Sequence, residues 1–127
     1  MIHCPYCGKP AECVGALVIY PRRHDLTHKF FWRCEPCDAY VGCHGTSKKP
    51  LGTLADSMTR TMRKIVHDKF DPLWKDARNK VGNRNAAYRM LAEELGIKQH
   101  ECHIAMFNIE RCQKAIKALQ LIECVMT

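Results

Sequence analysis

Two short cysteine pairs constrain this chain more than anything else in it. Cys4-Pro5-Tyr6-Cys7 and Cys34-Glu35-Pro36-Cys37 are both Cys-x2-Cys, with residues 8–33 between them. Each pair makes a tight turn that aims two sulfurs at one metal, and the Gly8 that follows the first suits a turn needing positive φ. Four thiolates close a tetrahedral zinc shell and leave no position for water, so the site implied by Cys4, Cys7, Cys34 and Cys37 is structural.

The other classes open to such cysteines are a disulfide framework and unrelated free thiols. Nine cysteines cannot all pair within one chain. Met1 leads straight into Ile2-His3-Cys4 without an apolar leader, and no stretch reaches the length of a membrane span. A reducing cytoplasm is therefore expected. There, paired cysteines read as metal ligands.

The fold class expected is α+β: a Cys4 zinc ribbon over residues 1–50 packed on a small helical bundle over residues 51–127. The ribbon's strands are read at Val14–Tyr20, at Lys29–Arg33 running into Cys34, and at Ala39–Gly42, because these runs are rich in β-branched and aromatic residues. Pro21–His28 joins the first two as a loop. Its neighbourhood is basic: Arg22, Arg23, His24 and Lys29 either grip phosphate or form a solvated turn. Phe31 and Trp32 point to opposite faces, so one is core. The other either stacks on a base or covers a neighbouring domain. Cys13 reads as a small apolar residue.

Ser47–Gly52 reads as a basic linker. Thr53 is the expected N-cap of a helix carrying Leu54, Met58, Met62, Ile65 and Val66 on its apolar stripe. Arg60, Arg63, Lys64 and His67 fall in a column on the same helix, a phosphate-binding ridge or a solvated face. Asp71-Pro72 is expected to end or redirect it. Leu73, Trp74 and Ala77 then make a short turn with Trp74 as a core anchor, and Lys80–Asn83 a loop. A helix from about Asn85 to Leu95 follows, with Ala87, Tyr88, Leu91, Ala92 and Leu95 inward and Gly96 as its C-cap. His103–Phe107 reads as extended. Asn108 caps a last helix that packs through Ile109, Cys112, Ile116 and Leu119, and Cys124 is also read as a packing residue. Ala92-x3-Gly96 hints at a helix-turn-helix, against which His100–His103 is a poor start for a recognition helix.

Twenty Lys/Arg against thirteen Asp/Glu give a net charge of +7. That favours an acidic partner, nucleic acid first. Binding is favoured over catalysis, since no Ser-His-Asp order, His-Glu-x2-His, phosphate loop or carboxylate cluster is present. A metal-assisted nuclease would have to be built from His44, His67 and Asp71. A second zinc would need Cys43 or His44 together with groups such as His67, His100, Cys102 or His103.

The order of motifs resembles the zinc-finger-containing domain family of small bacteriophage and prophage proteins. The likeness rests on Cys4–Gly8, on Trp32–His44, on Pro50–Asp56 and on Arg60 and Arg63. His67–Trp74, Arg84, Ala87-Tyr88, Leu91-Ala92 and His103-Ile104 extend it along the chain. It implies a zinc ribbon fused to helices, a phage or prophage origin and hence the cytoplasm of a host bacterium, and no particular activity. It also marks Cys43, His44, Arg60, Arg63, His67 and Asp71 as candidates for a shared surface outside the zinc ligands. A phage accessory protein that binds and modulates a host protein is the alternative partner reading it suggests.

Overall fold

The computed structural model describes residues 2–76 and 81–126, which fall into two compact units, Met1–Ser57 and Met58–Thr127. Together they make an α+β protein.

The first unit is built on a three-stranded antiparallel sheet of β1 (Glu12–Gly15), β2 (Phe30–Cys34) and β3 (Ala39–Gly42), in that order. Cys13 faces Trp32 and Trp32 faces Val41 in register, so alternate residues sort cleanly onto two faces. One face is buried: Cys4, Cys34, Ala39, Val41 and Leu54 form its core, with Trp32 packed against them. The other carries Phe31.

The expected first strand is only half a strand. Pairing stops at Gly15 opposite Phe30, and Ala16–Ile19 closes into one helical turn, α1, through the Tyr20 N–H to Ala16 carbonyl bond of 2.8 Å. A short apolar run carries no period that separates strand from helix. Packing decides it: Ala16 is fully buried, and the Tyr20 ring lies edge-on to Phe31 and Tyr40.

The supposed linker is part of this unit. After β3 the chain turns back, with bridges pairing Cys43 with Pro50 and Tyr40 with Ala55. Ala55 exchanges both backbone bonds with Tyr40 at 3.0 Å, and Leu54 is buried in the ribbon core. The helix therefore begins at Ser57, not after Thr53. The Trp32 indole N–H donates to the Lys48 carbonyl at 2.7 Å and holds the return loop against β2.

The second unit holds α2 (Ser57–Lys75, whose first residue belongs to the first unit), α3 (Arg84–Leu95) and α4 (Ile109–Met126). The inward face of α2 is Thr59, Val66, Phe70 and Leu73, with Met62 partly buried. Met58 and Ile65, expected inside, are exposed. Pro72 does not break α2. It sits in the last turn, where its missing N–H costs a single bond, and the helix runs on to Lys75. Trp74 packs on the core edge as expected. Ala77 and Lys80, read as turn and loop, lie outside the described residues.

Asn83 caps α3 by accepting the Ala86 N–H at 2.9 Å, and Gly96 ends it at φ 68°, ψ 32° in the left-handed region. Asn108 caps α4 through the Arg111 N–H at 2.8 Å. Between these helices, Gln99–Glu101 and Ile104–Met106 are single 3-10 turns, so His103–Phe107 is not extended. Nor does Ala92-x3-Gly96 open a helix-turn-helix. A tight turn of a few residues would be needed, and all of Gly96–Asn108 separates α3 from α4. Cys112 is buried in the core, whereas Cys124, expected to pack, is exposed.

Candidate metal centre

Both knuckles turn on a residue of positive φ that follows the second cysteine. In the first, the Cys4 N–H bonds to the Lys9 carbonyl (2.9 Å) and the Gly8 N–H to the Cys4 carbonyl (2.8 Å), so residues 4–9 close a small loop. Gly8 takes φ +77°. In the second, the equivalent residue is Asp38 at φ +49°, the one described non-glycine residue with positive φ. Asp tolerates the left-handed region better than most residues. Sequence reasoning found Gly8 and missed Asp38, although both follow the second cysteine of a pair.

These turns bring Cys4, Cys7, Cys34 and Cys37 together, with all four sulfurs within 4.8 Å of one another. Cys7 Sγ and Cys34 Sγ are 3.7 Å apart. That is far beyond a covalent S–S bond of about 2.05 Å. It matches the edge of a tetrahedron with Zn–S of about 2.3 Å, which is roughly 3.8 Å. Cys4 and Cys34 are buried on the core side, Cys37 is half-buried and Cys7 is exposed. The donor set therefore fits one structural zinc, held by the four thiolates. Among the described residues this is the only group of three or more metal-type side chains close enough to share an ion.

Electrostatics make the same point. The Cys7 thiol is drawn down to about 7, chiefly by the backbone N–H of Lys9 aimed at its sulfur. Cys37 is pushed up to about 12, first by desolvation and then by its sulfur neighbours. Four thiolates so close together need a cation to coexist, and zinc binding there releases protons.

Tyr6, between the two cysteines of the first knuckle, accepts the Asp56 N–H at 3.0 Å. The knuckle is thereby tied to the last residues of the ribbon unit.

The remaining candidates are more dispersed. On the ribbon loop, Arg23 forms a two-pronged pair with Asp25 at 2.9 and 3.0 Å, which holds that carboxyl below its usual range. Arg22 is exposed and Lys29 half-buried, and neither makes an ion pair among the described residues. On α2, Arg63 Nε donates to the Phe107 carbonyl at 2.8 Å, Lys64 pairs with Asp68 at 3.1 Å, and His67 Nδ1 lies 3.4 Å from Asp71. Asp71 also faces Lys75 at 3.8 Å. Arg60 is half-buried and partnered. His44 is exposed in the first unit, and its carbonyl accepts from Ser47. Cys43 and Cys102 are buried, and burial pushes both thiols up, Cys102 to about 11. His100 and His103 are exposed.

A small antiparallel sheet whose two knuckles gather four thiolates defines a zinc ribbon. The chain belongs to the zinc-finger-containing domain family, whose model matches residues 1–122. No curated protein and no solved structure matches it. Among the described residues no helix is long and apolar enough to cross a membrane.

Proposed function

We propose that this protein is a zinc-stabilised nucleic-acid-binding module. The observation that carries the reading is the positive charge left over once ion pairs are taken out. Arg23, Arg33, Lys64, Lys75 and Lys114 each face a carboxylate. Lys9, Arg22, Lys29, Lys69, Arg89, Lys98 and Lys117 face none among the described residues. Unpaired surface cations are what a phosphate backbone neutralises. The zinc holds the ribbon's shape and takes no part in chemistry.

Within this reading the ribbon loop is a better phosphate contact than the α2 column. Arg22 and Lys29 are uncommitted, whereas Arg63, Lys64 and His67 already have partners. The test is binding of the zinc-loaded protein to labelled duplex DNA, single-stranded DNA and RNA across a salt series. Affinity should fall steeply with salt, because each phosphate contact releases counterions. Arg22→Ala with Lys29→Ala should flatten the slope more than Arg60→Ala with Lys64→Ala. No binding even at low salt would refute the reading and turn the search to a host protein.

A further inference from the structure

We propose that the free edge of the ribbon sheet seats a second copy of this chain, so that two ribbons join β1 to β1 across a two-fold axis, a contact independent of the nucleic-acid reading above. The two edges of the sheet differ. At β3 the backbone groups that point away from β2 belong to Tyr40 and Gly42, and the chain covers them itself. Tyr40 exchanges both bonds with Ala55 at 3.0 Å, and the Gly42 carbonyl accepts the Leu51 N–H at 2.9 Å.

At β1 the Ala16 N–H donates to the Lys29 carbonyl at 3.0 Å, which fixes the phase of the ladder. Glu12, Val14 and Ala16 bond inward to β2, whereas Cys13 and Gly15 direct their backbone groups outward. The Cys13 N–H and carbonyl and the Gly15 N–H have no partner among the described residues. As the N-cap of α1, Gly15 gives its carbonyl to that turn and keeps a second lone pair. Neither Lys nor Pro guards the strand, and its register with β2 is unbroken by a bulge. A Cβ on Gly15 would meet nothing within 4 Å, so the space beside the edge is open.

This pattern is complementary to itself. Two β1 strands placed antiparallel with Val14 on the axis set Cys13 of each against Gly15 of the other. Each Gly15 N–H then reaches a Cys13 carbonyl, and each Cys13 N–H a Gly15 carbonyl. The half-buried Val14 meets its own copy in the closely spaced position, where apolar cross-strand pairs are in contact. Charge agrees. The exposed Glu12 of one copy falls in a row with Ala16 and Lys29 of the other, and neither Glu12 nor Lys29 is ion-paired among the described residues. Two strand spacings, about 10 Å, separate the two backbones, a span that two long side chains close. Phosphates offer no donor for the Cys13 carbonyl, whereas a second copy supplies donor and acceptor together. Two-fold pairing uses up the edge, so assembly stops at a dimer.

The test is sedimentation equilibrium of the zinc-loaded full chain over a concentration series, at physiological salt to screen the +7 charge of each copy. The mass should climb from that of one chain towards two and no further. Gly15→Pro deletes the outward N–H and suits the native backbone, since Gly15 sits at φ −71° and ψ 154°. It should weaken self-association about ten-fold or more, because symmetry removes the bond twice. Val14→Lys keeps every backbone bond but sets like charges on the axis, and should act in the same direction. Zinc content verifies that both variants fold. In the wild type at high concentration, the Cys13 and Gly15 amides should be protected from hydrogen exchange, and in dilute solution they should not. A chain that stays monomeric throughout would overturn the proposal. So would a dimer that both variants leave intact, because its contact lies elsewhere. Monomers whose Cys13 and Gly15 amides become protected on adding single-stranded DNA would give the edge to nucleic acid and overturn it likewise.

Discussion

The two units of this chain solve the same problem by different means. Met58–Thr127 buries Val66, Phe70, Leu91, Ile104, Phe107 and Cys112 at 0–1% exposure, in a core shared by three helices and the segment joining two of them. Among the described residues of Met1–Ser57 the core cluster holds five buried residues, and two of them, Cys4 and Cys34, are metal ligands. So few apolar side chains cannot offset the entropy of ordering a segment of this size, which is the regime where a metal substitutes for a core. The contrast teaches where each unit is vulnerable: one at four sulfurs, the other at its large buried side chains.

The sharpest way to break that contrast is to remove the zinc. Chelation, or Cys34→Ser, should unfold the ribbon, since structural zinc contributes on the order of 10–16 kcal/mol of apparent binding energy in small finger peptides. Amide resonances of Phe30–Cys34 and Ala39–Gly42 should collapse while those of α3 and α4 persist. Thiol alkylation offers a second view. With zinc bound, Cys124 should react readily, Cys102 and Cys112 should not, and the four ligands should become reactive only after chelation. Loss of helical and sheet signals together on chelation would refute the division of labour.

The converse is Phe70→Ala. Phe70 is fully buried, with its ring centroid 4.4 Å from that of Tyr88. The substitution should cost about 3–5 kcal/mol in the helical unit, read by thermal denaturation, and leave zinc stoichiometry at one. A zinc content that fell with it would undo the comparison.

Smaller effects sharpen it. A Cβ at Gly8 would meet nothing within 4 Å, so Gly8→Ala isolates the left-handed backbone at about 1–2 kcal/mol, visible as weaker zinc affinity in competition with a chelator. If Gly8→Ala bound zinc as tightly as wild type, the knuckle would not depend on that conformation. Smallest is Asn83→Ala, which removes the cap of α3 and should cost about 1 kcal/mol in the helical unit while the ribbon's metal affinity stays put.

Much of this architecture is legible in the residues. The Cys-x2-Cys pairs announce four ligands, because the chemistry of a soft cation needs short, repeated spacings. Asn108, Gly96 and the Ala87–Ala92 face of α3 are equally readable, since caps and helical periodicity are local. The errors cluster where a local signal met a distant partner. Thr53 has the look of an N-cap, but Ala55 pairs with Tyr40 and Leu54 is drawn into the ribbon core. Ala16–Tyr20 has the composition of a strand, but β2 offers no register for it beyond Phe30. Cys124 has the type and spacing of a packing residue, yet it lies on an exposed part of α4.

By itself, then, the sequence determined the metal, its four ligands and its closed coordination, because ligand identity and knuckle spacing are properties of a few adjacent residues. It also determined the excess of cations. Only the tertiary structure decided that Arg63 is tied to the Phe107 carbonyl and that three aromatic rings gather on one face of the sheet. Lys64–Asp68 and His67–Asp71 lie one turn apart on α2 and are local, whereas Arg63 reaches the Phe107 carbonyl on the segment before α4. Tyr20, Phe31 and Tyr40, from three separate segments, met on one side of a sheet whose other side the zinc site and Trp32 had closed. The Arg63 bond and the aromatic cluster are contacts between distant segments, and no local pattern encodes them.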